Sequence, residues 1–202
     1  WIEHVMSPSP PARARAAMVF DAARQRSVLF GGSGNTLLDD TWEWDGVAWQ
    51  QTLPSSRPGA RFGHAMAFDS VRARIVMFGG DNGTAQLGDT WEWDGASWIR
   101  RTPWNVPSPR RELAMTFDPV RGRTVLFGGW HATSNALGDT WEWNGTNWAF
   151  QGSATVPPRA RFGHAMTFDA RRGRVVLFGG STGIGDTWEW DGIRWSERAP
   201  TN

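Results

Sequence analysis

Short apolar runs separated by polar turns extend along the whole chain, and the same order of runs occurs four times. Each repeat contains an alternating segment (AMVFD, AMAFD or AMTFD), a run ending in Gly-Gly such as SVLFGG, and then TWEWD or TWEWN. Alternation predicts half-buried strands, and a continuous apolar run predicts a strand buried on both faces. With a further tryptophan a few residues later, each repeat predicts four short strands. No segment has the sustained period of about 3.6 residues that indicates a helix.

The period of the repeat indicates the architecture. The glycine pairs begin at 31, 79, 128 and 179, at intervals of 48, 49 and 51 residues. Asp-Gly or Asn-Gly follows TWEW in each repeat and suits a tight hairpin turn with positive φ. Four antiparallel strands at a period of about 50 are typical of a β-propeller blade. We predict blades over approximately 13–53, 61–103, 110–152 and 161–199, in a single domain or part of one.

The chain resembles the kelch-repeat family, in particular the bacterial type with LGDTWEWDG blades. The resemblance rests on the order of an arginine-led start, an apolar strand ending in Gly-Gly, an Asp before an aromatic strand, and a lone tryptophan. It covers nearly all of the chain. We therefore expect an all-β, kelch-type β-propeller of four blades with four antiparallel strands each, and essentially no helix. The resemblance says little about the ligand.

The N-terminus carries an additional element. Trp1 precedes Asp21 by 20 residues, as Trp49 precedes Asp69. Residues 1–6 therefore predict a surplus outer strand whose blade is otherwise missing. Three arrangements are open: the chain is part of a larger ring, it closes alone with one strand loose, or two copies combine. The resemblance favours the first, because it implies rings of about five to seven blades.

Composition restricts the chemistry. The chain has 15 Trp, no Cys and no Tyr, and its 21 basic residues, all Arg, nearly balance 20 acidic residues. The lack of cysteine excludes disulfides and thiolate metal sites. A nucleic-acid partner is not expected because no basic block occurs, and membrane insertion is not expected because no apolar stretch approaches 18 residues. The missing initiator Met and the unusual composition also leave a fragment or an engineered blade array open.

Candidate binding residues lie in loops that differ between repeats. Trp130 and His131 form an aromatic–histidine pair in a polar loop between the second and third strands of a blade. Trp104 lies in the proline-rich segment TPWNVPSPRR and is expected either to join that face or to cap its own blade. Variable loops on a constant scaffold are typical of binding proteins.

Arginine opens every repeat, and two roles are open for it. The positions are Arg13 or Arg15, Arg61, Arg110 or Arg111, and Arg161. The resemblance implies that arginines here line the channel mouth and bind carboxylates of acidic peptides, for which a guanidinium is suited. The alternative is a structural salt bridge between blades with the repeated aspartates, namely Asp40, Asp89, Asp139 and Asp186. The glutamate within TWEW is expected to meet an arginine of the turn between the first two strands.

The remaining signals favour binding over catalysis. His64 and His164 occupy matching places where the other repeats have Ala16 and Leu113, which suggests a partly buried position and not a metal site. No catalytic motif is present, so we predict no enzyme, cofactor or metal. The expected function is protein or peptide recognition through the loop face. Carbohydrate binding and a purely structural blade array are the alternatives, and the resemblance favours a location outside the cytoplasm.

Overall fold

A computed structural model describes residues 8–152 and 157–199, apart from the side chain of residue 182. It contains four sheets of four strands each. The first sheet has β1 (Ala17–Asp21), β2 (Arg26–Ser33), β3 (Leu37–Trp44) and β4 (Trp49–Thr52). The second has β5 (Ala65–Asp69), β6 (Arg74–Phe78), β7 (Thr90–Trp93) and β8 (Trp98–Arg101). The third has β9 (Ala114–Asp118), β10 (Arg123–His131), β11 (Asn135–Trp143) and β12 (Trp148–Gln151). The fourth has β13 (Ala165–Asp169), β14 (Arg174–Phe178), β15 (Thr187–Trp190) and β16 (Trp195–Arg198).

Every sheet is an antiparallel meander in chain order. The first strands of successive sheets pack together: β1 on β5, β5 on β9, and β9 on β13. No comparable packing joins β13 to β1 in the described chain, so the array is open between its first and last sheets. This arrangement fits an array of propeller blades, and the all-β prediction is confirmed. The helical content of the described residues is one 3₁₀ turn, Ser181–Gly183. The predicted extra strand at residues 1–6 lies outside the described residues.

The tryptophans form the packing layers between sheets. Trp93 and Trp98 of the second sheet are buried against Val28 and Phe30 of the first. The same arrangement recurs at the next two boundaries. Burying a large aromatic side chain contributes about 2–3 kcal/mol, so these layers hold neighbouring sheets together.

Period-two alternation divides the residues of TWEW between two faces of the sheet. Glu43 points away from Trp42 and Trp44 and accepts a 2.6 Å bond from Arg24 of the turn between β1 and β2. The other three sheets repeat this pairing, with Arg72–Glu92, Arg121–Glu142 and Arg172–Glu189. The expected glutamate–arginine contact is therefore confirmed, and it lies within each sheet.

The glycine pairs permit the sheets to approach at their inner ends. Gly79 has φ +73°, and a Cβ there would lie 2.6 Å from the carbonyl oxygen of Arg110 in the next sheet. The amide of Gly80 donates a 2.8 Å bond to the same oxygen. A side chain would therefore disrupt a backbone contact between sheets.

Candidate binding site

The residues that differ between repeats meet in pairs at the inner ends of the sheets. The segment that precedes each first strand bridges to the residue that follows the glycine pair, as in Phe62 with Asp81 and Arg111 with Trp130. In the first sheet the corresponding pair is Ala14 with Ser33. The constant glycine backbone therefore presents a different side-chain pair in each sheet.

Four side chains at these inner ends form a stack across the first three sheets. The Arg15 guanidinium carbon lies 5.5 Å from the ring centroid of Phe62. The Arg111 guanidinium carbon lies 5.7 Å from the same ring and 4.5 Å from the ring of Trp130. We call Arg15, Phe62, Arg111 and Trp130 the cation–π ladder. Each such contact stabilises by about 0.5–1 kcal/mol at exposed sites, and more where water is excluded.

Contacts between the second and third sheets fix the Trp130 end of the ladder. Arg111 Nη1 bonds to Asp81 Oδ2 at 3.2 Å. The side-chain amide of Gln86 donates to the carbonyl of Trp130 at 3.1 Å, and its oxygen accepts from the amide of Ala132 at 2.7 Å. The loop that carries Trp130 is therefore held to the neighbouring sheet before any ligand arrives.

A chain of backbone hydrogen bonds runs beneath the ladder. Gly63 donates to the carbonyl of Arg15 at 2.9 Å, Glu112 to that of Gly63 at 2.7 Å, and Gly163 to that of Glu112 at 2.8 Å. All four residues have φ between +54° and +65°. This conformation is unstrained for glycine but costs other residues about 1 kcal/mol or more. Arg15 and Glu112 are thus charged residues at strained positions, where two of the repeats have glycine.

These two charged residues also contact each other loosely. Arg15 Nη1 lies 3.7 Å from Glu112 Oε1, and the Arg15 side chain is 56% exposed. Strained backbone at non-glycine residues clusters at functional sites in proteins. The combination makes this face the candidate site.

The predicted residues fall into three different places. Trp130 and His131 lie at the ladder, both half-buried, and His131 Nδ1 lies 3.1 Å from the hydroxyl of Thr133. Trp104 is 83% exposed, and its amide donates to Asn147 at the β11–β12 turn, at the outer edge of the third sheet. The structure therefore does not bring Trp104 next to Trp130.

The repeated arginines Arg61, Arg110 and Arg161 lie below the surface and are fully buried. Arg110 bonds to both carboxylate oxygens of Asp139, at 2.6 and 2.8 Å, and to the carbonyl of Gly128 at 3.0 Å. The pairs Arg61–Asp89 and Arg161–Asp186 have the same geometry. Each arginine pairs with the aspartate of its own sheet. The prediction that these salt bridges connect neighbouring blades is therefore wrong. These guanidinium groups are buried and already paired with carboxylate and carbonyl oxygens, so they do not face the ladder's surface.

The arginines determine the ionisation of their partners. Burial raises the pKa of Asp89 and Asp139, but the bonds from Arg61 and Arg110 outweigh it, so each pKa lies below its usual value. The hydrogen bond from Arg161 lowers the pKa of Asp186 to about 2. All three carboxylates are therefore ionised at neutral pH and serve as structural counter-ions.

His64 and His164 are buried between sheets. Each ring lies edge-on to a phenylalanine of the preceding sheet, Phe30 for His64 and Phe127 for His164, with centroids 5.5 Å apart. Burial and the nearby Arg61 lower the pKa of His64 to about 3, and burial and Arg161 lower that of His164 to about 4. Within the described residues, no group of three or more His, Asp or Glu side chains is arranged to hold a metal ion.

Sequence reasoning missed Phe62, Asp81 and Gln86, and it named Arg15 and Arg111 only as alternatives to Arg13 and Arg110. Phe62 and Arg111 each follow the buried arginine of their repeat, at a position that is Ala14 in the first repeat and Phe162 in the fourth. Variation at a fixed position of a constant repeat indicates a surface role.

A scan against protein-family models finds no match for this chain, and a search of curated proteins finds no similar sequence. No helix in the described part of the chain is long and apolar enough to span a membrane.

Proposed function

We propose that the chain is a kelch-type propeller array that acts as a non-catalytic binding module and recognises a peptide segment of a partner protein at the cation–π ladder. The observation that carries this proposal is the convergence of residues from three sheets into one ordered stack. The resemblance of the repeats to kelch blades supports it, since the ladder occupies the inner loop face.

The chemistry of the ladder suits a peptide with an acidic residue beside an apolar one. Arg15 is exposed and only loosely held by Glu112, so it is available to a ligand carboxylate. The half-exposed ring of Trp130 offers apolar surface next to it. The loop of Trp130 is held in place by its bonds to Gln86, so binding at this end of the ladder orders few groups and loses little entropy.

Selection from a random peptide library on the intact protein tests the proposal. Affinity of the selected peptides is then measured by calorimetry for the wild type and for Trp130→Ala, Arg15→Ala and Trp104→Ala. We expect Trp130→Ala to weaken binding at least about 30-fold, as for a central aromatic contact. Trp104→Ala is the matched control, because it removes an exposed tryptophan outside the ladder. Equal affinity of all variants, or failure to select any peptide, contradicts the proposal.

Carbohydrate binding is the second candidate, and the pair Trp130–His131 favours it. The half-exposed indole of Trp130 beside hydrogen-bonding groups suits a sugar ring. A glycan array probed with the wild type and with Trp130→Ala distinguishes the two. A signal lost in Trp130→Ala, with no peptide selected, favours the carbohydrate.

A further inference from the structure

Neighbouring sheets are joined by one repeated set of hydrogen bonds. At each boundary the last tryptophan of TWEW donates to the glutamate of the preceding sheet. The next tryptophan donates to the threonine of that sheet. The glutamate bonds are Trp93–Glu43 at 3.2 Å, Trp143–Glu92 at 2.9 Å and Trp190–Glu142 at 2.9 Å. The threonine bonds are Trp98–Thr41 at 2.9 Å, Trp148–Thr90 at 2.9 Å and Trp195–Thr140 at 2.8 Å.

The side-chain packing at each boundary is also repeated. The second tryptophan packs edge-on against the phenylalanine of the preceding sheet, as Trp148 does on Phe78, with centroids 5.3 Å apart. The turn glycine lies on an arginine, so that a Cβ at Gly145 would be 2.9 Å from Arg72. We call the side with the two tryptophans and the turn glycine the tryptophan face, and the side with Thr, Glu, Phe and Arg the acceptor face.

The fourth sheet has an acceptor face with no sheet of the described chain against it. Phe178 is 55% exposed, whereas its equivalents Phe30, Phe78 and Phe127 are at 0%. Arg172 bonds to Glu189 Oε1 at 2.5 Å, as the equivalent arginines do to the glutamates at the three boundaries between sheets. An open cleft runs beside Phe178, Thr187 and Glu189. This face is therefore assembled like the other three.

The first sheet has the matching tryptophan face at the opposite end of the array. Trp44 and Trp49 lie 5.5 Å apart with their rings tilted at 48°, close to the 5.4 Å and 43° of Trp93 and Trp98. A Cβ at Gly46 would meet nothing within 4 Å, unlike at the turn glycines of the other sheets. Met18 on this sheet is 61% exposed, whereas its equivalent Met66 is 8% exposed.

We infer that the partner for these faces is a second copy of the chain, docked head to tail. The tryptophan face of one copy lies on the acceptor face of the other, so that Trp49 meets Thr187 and Gly46 lies on Arg172 of the opposing copy. Two such contacts join two copies into a closed assembly of eight sheets, which is within the range of known propellers of about 4–8 blades. Head-to-tail closure requires two complementary faces at opposite ends of the same chain. The tryptophan face and the acceptor face meet this requirement.

Light scattering on the intact protein during size-exclusion chromatography tests the inference. The expected mass is twice the chain mass of 22.5 kDa. Phe178→Arg disrupts the acceptor face and Trp49→Glu the tryptophan face, and each alone should give a monomer. Val120→Arg is the matched control, since Val120 is an exposed apolar residue in a turn of the third sheet, and this variant should remain a dimer. Met18→Arg replaces Trp49→Glu if circular dichroism shows that the latter does not fold.

Mixing the two monomeric variants tests the direction of docking. Phe178→Arg retains an intact tryptophan face and Trp49→Glu an intact acceptor face, so a mixture should form dimers through one remaining contact. A monomeric wild type overturns the inference and would indicate that further repeats in the same polypeptide cover these faces. Dimers that persist in both variants, a mixture that stays monomeric, or any stoichiometry other than two also overturn it.

Discussion

The indole nitrogen of Trp143 donates a 2.9 Å hydrogen bond to Oε1 of Glu92 across the boundary between the third and second sheets. Glu92 is fully buried, and it also accepts bonds from Arg72 at 2.6 Å and Arg101 at 2.8 Å. One carboxylate therefore ties a turn, an outer strand and the next sheet together. A buried charge is tolerated here because it is paired and all its bonds are satisfied.

Glu92→Gln should lower the free energy of unfolding by about 2 kcal/mol or more, because Arg101 loses its carboxylate partner and Arg72 keeps only Asp69. Urea denaturation followed by tryptophan fluorescence measures the change. Asp39→Asn is the control, since the Asp39–Arg57 pair is exposed and contributes about 1 kcal/mol or less. Similar effects of the two substitutions would contradict the assigned role of Glu92.

Arg110→Lys should also destabilise the fold, although it keeps the charge. A lysine cannot reproduce the two bonds to Asp139 together with the bond to the carbonyl of Gly128. We expect a loss of about 2 kcal/mol or more in the free energy of unfolding, since buried acceptors lose their partners. Arg57→Lys, at an exposed pair, should change it by less than about 0.5 kcal/mol. An unchanged denaturation midpoint for Arg110→Lys would argue against a structural role.

Gly79→Ala should lower the free energy of unfolding by about 2 kcal/mol or more, because a methyl group at φ +73° would clash with the carbonyl oxygen of Arg110. The measurement is the thermal unfolding midpoint. Gly59→Ala is the control, since its added Cβ would meet no atom within 4 Å. A midpoint for Gly79→Ala equal to that of Gly59→Ala would show that the sheets do not approach as described.

Acid should destabilise the protein through His64 and His164. Their folded pKa values, about 3 and about 4, lie below the ordinary 6.5, so between these limits the unfolded chain binds protons that the folded chain does not. Stability is therefore complete above pH 6.5 and is lost as the pH falls. Each histidine should cost about 2 kcal/mol between pH 7 and pH 5.

The double variant His64→Leu, His164→Leu tests this directly, since Leu113 occupies the same place in the third repeat. Urea denaturation at a series of pH values should show a much smaller slope between pH 7 and pH 5 for the variant than for the wild type. Equal slopes would assign the pH dependence to other groups.

Within the candidate site, the sequence predicted single loops but not their combination. Trp130 and His131 were visible as an unusual pair in a variable loop. Phe62 was not singled out and Arg111 was named only as an alternative to Arg110, because their contact forms only when the second and third sheets lie side by side. Trp104 was a reasonable candidate from composition, but the bonds of its segment to Asn147 and Trp148 hold it at the outer edge of the third sheet.

The sequence by itself determined the four sheets, their strand order and the alternation of Trp with Thr and Glu, because local periodicity and turn chemistry act within a single repeat. Only the tertiary structure decided which arginines are buried counter-ions and which reach the surface, as Arg110 and its neighbour Arg111 show. It also decided that the first and last sheets stay apart in the described chain. These features depend on distances between sheets about 50 residues apart in sequence, and no local pattern encodes such distances.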